Sequence, residues 1–373
     1  STLFPYTTLF RSTVFDGVRE NHDLSFADYS LRAERTLTPN HEIVVRIAVN
    51  REDSQVSYSG LTHAEFDADP FSNPFPNDRF ETQRYTGALT HAWTITPNLT
   101  LKTSAYSLYF NRDWWRQSSN SSQRPNDSSD PNCGGMANLE TTCGAEGRLR
   151  EYHQYGVESR LSWDTRALGA DANMEAGVRW HTERQNRLQI NADAPTGRTP
   201  GTSVNGGLRE DNLRSANALS GFAVANLDYG RLTLSPGVRV ESVTFERTNR
   251  ISGASGEESL TEVIPGFGAT FAISDAMSIY AGVHRGFSPP RVEDVIDNSG
   301  VTVDLGAEES VNWEVGVRGG LRSGWDIDVS GFLMEFDNQI VPSSVAGGAG
   351  ATLTSAGQTR HVGVEASTRI SLR

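Results

Sequence analysis

The sequence predicts an all-β fold, a transmembrane antiparallel up-and-down β-barrel seen in part. Three observations carry this. Six short connections alternate with six long ones, the thirteen segments between them place apolar or aromatic residues at every second position, and no stretch of the 373 residues approaches the roughly 20 consecutive apolar residues of a membrane helix. A strand that meets lipid on one side needs apolar residues only at alternate positions, so a hydrophobic content of 36% and a mean hydropathy of -0.45 are compatible with a membrane-spanning wall.

Taken in order, the short connections fall at Thr38–Asn40, Thr96–Asn98, Asp164–Asp171, Tyr229–Arg231, Ser274–Ala276 and Arg322–Gly324. Their Pro, Asn, Asp and Gly residues reverse a chain tightly, as periplasmic turns do. The long ones, near Asp53–Arg79, Asp113–Arg150, Asn186–Asp211, Arg247–Ser259, Ser288–Ala307 and Val341–Ala356, are polar and rich in Gly, Ser and Asn. These read as extracellular loops, where a ligand is met. Between them, Tyr85, Leu89, Trp93 and Ile95 oppose Arg84, Thr86 and Thr90, and Tyr155, Val157, Leu161 and Trp163 oppose Glu158 and Arg160. Leu232, Leu234, Val238 and Val240 oppose Arg239 and Glu241, and Val311, Trp313, Val315, Val317 and Leu321 oppose Asn312, Glu314 and Arg318. The apolar set meets lipid and the charged set meets the lumen. Trp93, Trp163 and Trp325 lie by short turns and Tyr85, Tyr109 and Tyr155 toward long loops, where two aromatic girdles belong.

Strand direction suggests a partial barrel. The first alternating segment, Ala27–Leu37, descends into a short turn, and the last, Gln358–Leu372, also descends; at least one rising strand is expected to be missing ahead of residue 27. Ser1–Ser12 (STLFPYTTLFRS) resembles a translated sequencing remnant and is set apart, leaving 13–373 as the barrel domain. No signal peptide is seen, although a barrel destined for the outer membrane is made with one.

Chemistry is constrained more by exclusion. A net charge of -13 argues against nucleic acid, whose phosphates it would repel. The two cysteines, Cys133 and Cys143, share the longest loop and read as a disulfide formed in an oxidising compartment, worth about 3 kcal/mol for so short a loop. The eight histidines show no ligand spacing, and Asn126, Asp127 and Asp130 lack the glycine and terminal carboxylate of a calcium loop. Ser288, with His284 and Asp294 nearby, sits in no nucleophile elbow, and Pro289 removes a backbone donor. Consecutive Pro289 and Pro290 end their strand, and Trp114 and Trp115 point to opposite faces.

Several segments resemble the barrel half of TonB-dependent outer-membrane receptors. They are RLTLSPGVRVE (231–241), AGVHRGFSPPR (281–291), AEESVNWEVGVR (307–318), FDNQIV (336–341) and AGQTRHVGVE (356–365). SGLTHAEF (59–66), DPFSNPFPNDRF (69–80), RDWWRQ (112–117) and GRLREYHQYGVE (147–158) are similar to the ferric dicitrate transporter group within that family. The resemblance implies a 22-stranded barrel closed by an N-terminal plug, uptake of a ferric chelate, energy from TonB with its ExbB–ExbD complex, a monomeric barrel, and contact with outer-membrane lipid and lipopolysaccharide in a Gram-negative cell. Iron would arrive already chelated. An anionic citrate complex is best held by Arg forks, which makes Arg79, Arg84, Arg112, Arg116, Gln117, Arg148 and Arg150 the candidate ligand contacts. The same arginines suit a rim binding lipopolysaccharide phosphates, and Glu81, Asp113, Glu146 and Glu151 suit their neutralisation. Arg239, Arg318 and Glu314 belong deeper, lining the lumen or touching the plug. A passive porin is the runner-up reading and an outer-membrane hydrolase the more distant one.

Overall fold

The computed structural model describes residues 6–57, 60–116, 144–202, 206–303, 306–322, 324–342, 353–355 and 357–371. Gln117, Cys133 and Cys143 lie outside the described residues. The chain is a meander of β1 Tyr6–Asp16, β2 Asp23–Thr38, β3 His41–Ser54, α1 His63–Ala68, β4 Arg79–Thr96, β5 Leu99–Arg116, β6 Glu146–Ala167, β7 Ala170–Asn191 and β8 Gly207–Asp228. It continues through β9 Leu232–Asn249, β10 Ser255–Ala272, β11 Met277–Ser288, α2 Val292–Val295, β12 Glu308–Arg322, β13 Trp325–Asp337, β14 Ile340–Pro342, β15 Leu353–Ser355 and β16 Thr359–Ile370. Fourteen strands form one antiparallel sheet in the order β1 to β13, then β16; β14 and β15 make a separate hairpin. Every neighbour in the sheet is the next main strand in sequence, as an up-and-down barrel wall requires.

All thirteen expected segments are strands of this sheet. The fourteenth is β1, which pairs with β2 in unbroken register from Tyr6↔Ala33 to Asp16↔Asp23. Residues 6–12, left outside the barrel by the sequence, thus occupy the rising position expected to be missing.

Five of the six short connections end within a residue or two of their expected bounds. The exception is the reversal between β6 and β7, tightened to Leu168 and Gly169 at φ 54° and 82°. Two successive positive φ angles match the twist of a hairpin, and only glycine takes the second at no cost. One expected long loop is short: β9 and β10 are joined by residues 250–254, closed by hydrogen bonds from Gly253 N to Asn249 O and from Asn249 N to Ala254 O, each 2.8 Å. The polar alternation that suggested a loop belongs to strands running on past the apolar belt.

That belt lies on one face. Leu89, Trp93, Val157, Leu161, Trp163, Val178, Val240, Val263, Trp313 and Val315 are all exposed there. Tyr155 and Trp163 are eight residues apart on β6, about 26 Å along a strand at roughly 3.3 Å per residue and about 20 Å of depth at a tilt of roughly 40°. A bilayer core therefore ends near Tyr155, and the ends of the strands beyond it, toward the long connections, stand clear. The opposite face is polar and lines the lumen in a barrel. On it, Tyr106 lies flat over Gly156, where a Cβ would strike its ring, and donates or accepts at 2.7 Å with His181 Nδ1 while Arg179 donates to its hydroxyl. Covering the bare backbone of a strand glycine with a cross-strand aromatic is a recognised way to stabilise such a position.

Among the described residues, β1 and β16 each pair on one side only. Their free N–H and C=O groups cost several kcal/mol each where lipid is the neighbour. Refolded alone in detergent, this segment should give no heat-resistant monomer on semi-native electrophoresis; such a monomer would contradict the open-edged sheet.

Candidate functional site

Paired residues on adjacent antiparallel strands share a face, so the registers of β4 to β9 add up to rows running across the polar wall. One row reads Thr82, Arg112, Arg150, Arg187, Asn212, Asn249. The next, one pleat nearer the belt, reads Arg84, Phe110, Tyr152, Gln185, Arg214, Arg247. Like charges directly opposite one another destabilise a sheet. Here three arginines are consecutive in one row and two in the other, and Arg150, Arg214 and Arg247 are only 3%, 5% and 8% exposed. All lie beyond the apolar belt, toward the long connections.

Two carboxylates are within ion-pair distance of these five arginines among the described residues. Glu210 accepts from Arg150 Nη2 at 3.1 Å and lies 3.1 Å from Arg187 Nε and 3.6 Å from Arg214 Nη2. Glu293 accepts from Arg187 Nη1 at 3.1 Å and lies 2.7 Å from Arg214 Nη1. Arg150 Nη1 also donates to the carbonyls of Leu149 and Leu188, both at 3.0 Å. Arg112 has no such partner: its guanidinium stands 5.8 Å from the Trp114 ring, and its Nε is buried with no acceptor. Arg187 Nε and Arg214 Nε and Nη1 are likewise buried without an aligned acceptor, the nearby carboxylates being off-axis. Buried donors facing one cluster of positive charge suit an anion with several oxygens.

Glu293 reaches this wall from the connection between β11 and β12. There Pro289 and Pro290 end the strand, α2 forms a single turn, and Val295 and Ile296, 3% and 0% exposed, pack on Ala216, Val243 and Phe245 of the polar wall. Arg247 fastens the segment by donating to Ile296 O at 2.7 Å and Asn298 Oδ1 at 2.9 Å. Burial alone would raise the Glu293 pKa; a hydrogen bond from its own backbone and the charges of Arg214 and Arg187 outweigh it and hold the carboxyl below its ordinary 4.5.

The candidate residues divide. Arg112 and Arg150 share the arginine row, and Arg84 lies on the same face one pleat below, 5.9 Å from the Phe110 ring. Arg116 and Arg148 are on that face but committed to Glu146, itself 1% exposed, which accepts from Arg116 Nε at 3.1 Å and Nη2 at 2.9 Å and pairs with Arg148. Arg79 registers with Trp115, so it faces away from the row and pairs with Asp53 and Glu81. Trp114 and Trp115 do point to opposite faces, Trp114 between Arg112 and Arg116 and Trp115 beneath Arg198. Sequence reasoning missed Arg187, Arg214, Arg247, Glu210 and Glu293. Counting back from a two-residue turn at Leu168–Gly169 pairs Arg150 with Arg187; counting from the middle of Asp164–Asp171 pairs it with Gln185.

The family model described as TonB dependent receptor-like, beta-barrel matches residues 9–373. Similar solved structures include the ferric citrate transporter FecA in the unliganded form, at 18% identity and a TM-score of 0.76, over 98% of this chain and 51% of that one. The siderophore receptor PiuA from Acinetobacter baumannii is 13% identical, with a TM-score of 0.73 over 99% of this chain and 57% of its own. FpvA of P. aeruginosa, solved with a pyoverdine–iron complex, is 14% identical, with a TM-score of 0.73 over 99% and 50%. This chain spans about half the length of these proteins, and at such identities the likeness is one of fold.

A depressed carboxylate pKa stabilises the docked segment above the ordinary value, and that contribution is lost as pH falls through the depressed one. The groups facing Glu293 are Arg187 on β7 and Arg214 on β8, with Glu210 and Arg247 beyond them and Asp297 on its own segment. A solvent-sensitive dye on Val301→Cys should therefore report no change from pH 8 to 5 and a transition only below 4.5, removed by Glu293→Gln. A transition above pH 5 would contradict the ion-pair geometry.

Proposed function

The chain belongs to the TonB-dependent receptor β-barrel family, and we propose that the whole protein takes up a ferric chelate across the outer membrane of a Gram-negative cell. Energy comes from TonB with ExbB–ExbD acting through a region outside this chain, and the barrel is a monomer whose apolar belt meets lipid and lipopolysaccharide. Family membership favours a receptor over the porin and hydrolase readings.

The chelate is one rich in carboxylates, iron(III) dicitrate first among them. The observation that carries this is the row Arg112–Arg150–Arg187, with Arg150 buried and the other two half-buried, in which Arg112 has no carboxylate partner among the described residues. A sheet that sets like charges opposite one another is relieved by an anion with oxygens spread over several positions, and guanidinium forks take carboxylates two bonds at a time. Neutral or cationic chelates offer this wall nothing comparable. Arg84 contributes from the lower row, Arg116 and Arg148 hold the rim through Glu146, and Gln117 follows Arg116 in sequence. The likeness to a ferric citrate transporter supports the reading, while other similar structures are the siderophore receptor PiuA, FpvA bound to a pyoverdine and the copper transporter OprC.

Arg112→Ala is the clean variant, because it orphans no carboxylate among the described residues. Titrating ferric citrate into the full-length protein, this change should cost about 1.5 to 3 kcal/mol, or roughly tenfold or more in affinity, and vary little with ionic strength. Arg79→Ala should leave affinity within about twofold, as expected of an exposed ion pair. Saturable binding with equal affinity in parent and Arg112→Ala would remove Arg112 from the site; no saturable binding by the parent would remove the substrate.

A further inference from the structure

We propose that Glu293 is a built-in competitor for the ligand: its carboxylate occupies Arg187 and Arg214 in the resting receptor, and a polycarboxylate chelate must displace it. This rests on the arginine row being the chelate site. The contact Glu293 makes, one carboxylate against two guanidinium groups, is chemically the contact a citrate arm makes.

The segment that carries Glu293 is fixed by contacts that exchange without remaking the sheet. Its regular structure is the four-residue α2, braced by Ile296 N to Val292 O at 3.0 Å, Val303 N to Val295 O at 2.8 Å and Asp297 N to Val301 O at 2.9 Å. Two apolar side chains, Val295 and Ile296, fill the patch formed by Ala216, Val243 and Phe245. Close seating depends on Gly256 of β10, where a Cβ would collide with Gly300 O and the Ile296 side chain. Arg247, itself in the lower arginine row, ties the segment down through Ile296 O and Asn298. The strap and the two arginine rows therefore share Arg187, Arg214 and Arg247, and an anion drawing Arg187 and Arg214 toward itself withdraws the partners of Glu293.

Competition of this kind sets a charge threshold. A chelate with one carboxylate exchanges one for one with Glu293 and gains little, whereas a chelate with several also gains Arg112, which has no carboxylate partner among the described residues. Glu293 thereby selects for polyanionic complexes.

The test uses the full-length receptor, ferric citrate as probe, and two variants that remove the competitor by different means. Glu293→Gln removes the charge; Gly256→Leu unseats the strap and changes no charge. Both should bind ferric citrate roughly fivefold or more tightly than the parent, within the usual range of coupling between linked equilibria. Hydrogen-exchange mass spectrometry should show residues 292–303 protected in the parent and exposed once ferric citrate saturates it. Greater protection of 292–303 on binding would overturn the proposal. So would tighter binding by Glu293→Gln but not by Gly256→Leu, which would reduce Glu293 to a background charge, or unchanged affinity in both. Absence of saturable ferric citrate binding in the parent and both variants would instead fail the arginine row itself, and the competition with it.

Discussion

Strand register is the constraint on which the rest of this structure depends. Each strand of the wall shows one face to apolar surroundings and the other to water, so a slip of one residue would exchange the two along its whole length. On β6 a slip would send Glu158 and Arg160 toward lipid and bring Leu161 and Trp163 inside. The turn at Leu168–Gly169 fixes the register of β6 against β7, and everything aligned across that hairpin follows.

The arginine rows are a consequence of that register and also a charge against it. Burying a guanidinium without a partner is expensive, and setting three side by side adds repulsion to desolvation. Glu210 and Glu293 relieve part of this, with Arg150 further satisfied by two strand carbonyls. The relief is uneven: Glu210 belongs to β8 and is fixed with the wall, whereas Glu293 arrives on a connection. By contrast Arg116 and Arg148 both pair with the buried Glu146, and loss of Arg116 would leave that carboxylate with Arg148 as its remaining ion-pair partner among the described residues. That difference separates residues that hold the rim from residues with donors to spare.

Much of the wall was legible because period-2 alternation and turn chemistry are local. Val311 to Leu321 and Tyr155 to Trp163 reveal their faces with no partner in view. Arg112 and Arg150 were found as arginines near strand ends, but their alignment was invisible until β5, β6 and β7 were registered, and Arg187 was absorbed into an expected loop from Asn186 to Asp211. The face of Arg79 was hidden for the same reason, since it follows from the pairing with Trp115. Glu293 could not be found by any local pattern, since it reaches Arg187 across 106 residues from a connection that reads as an ordinary polar loop. Residues 6–12 form a strand because an alternating segment beside β2 finds a ready partner, whatever its composition suggested.

The central claim, that a row of like charges on the polar wall is the receptor's anion site, is tested most directly by locating the iron. Crystals of the full-length protein soaked in ferric citrate give an anomalous iron peak whose position needs no interpretation of side chains. The account predicts that peak against the polar wall of β5, β6 and β7, with citrate oxygens about 2.7 to 2.9 Å from the Arg112 guanidinium and from Arg150 or Arg187. An ordered iron peak elsewhere, with Arg112 still without an oxygen partner, would contradict it.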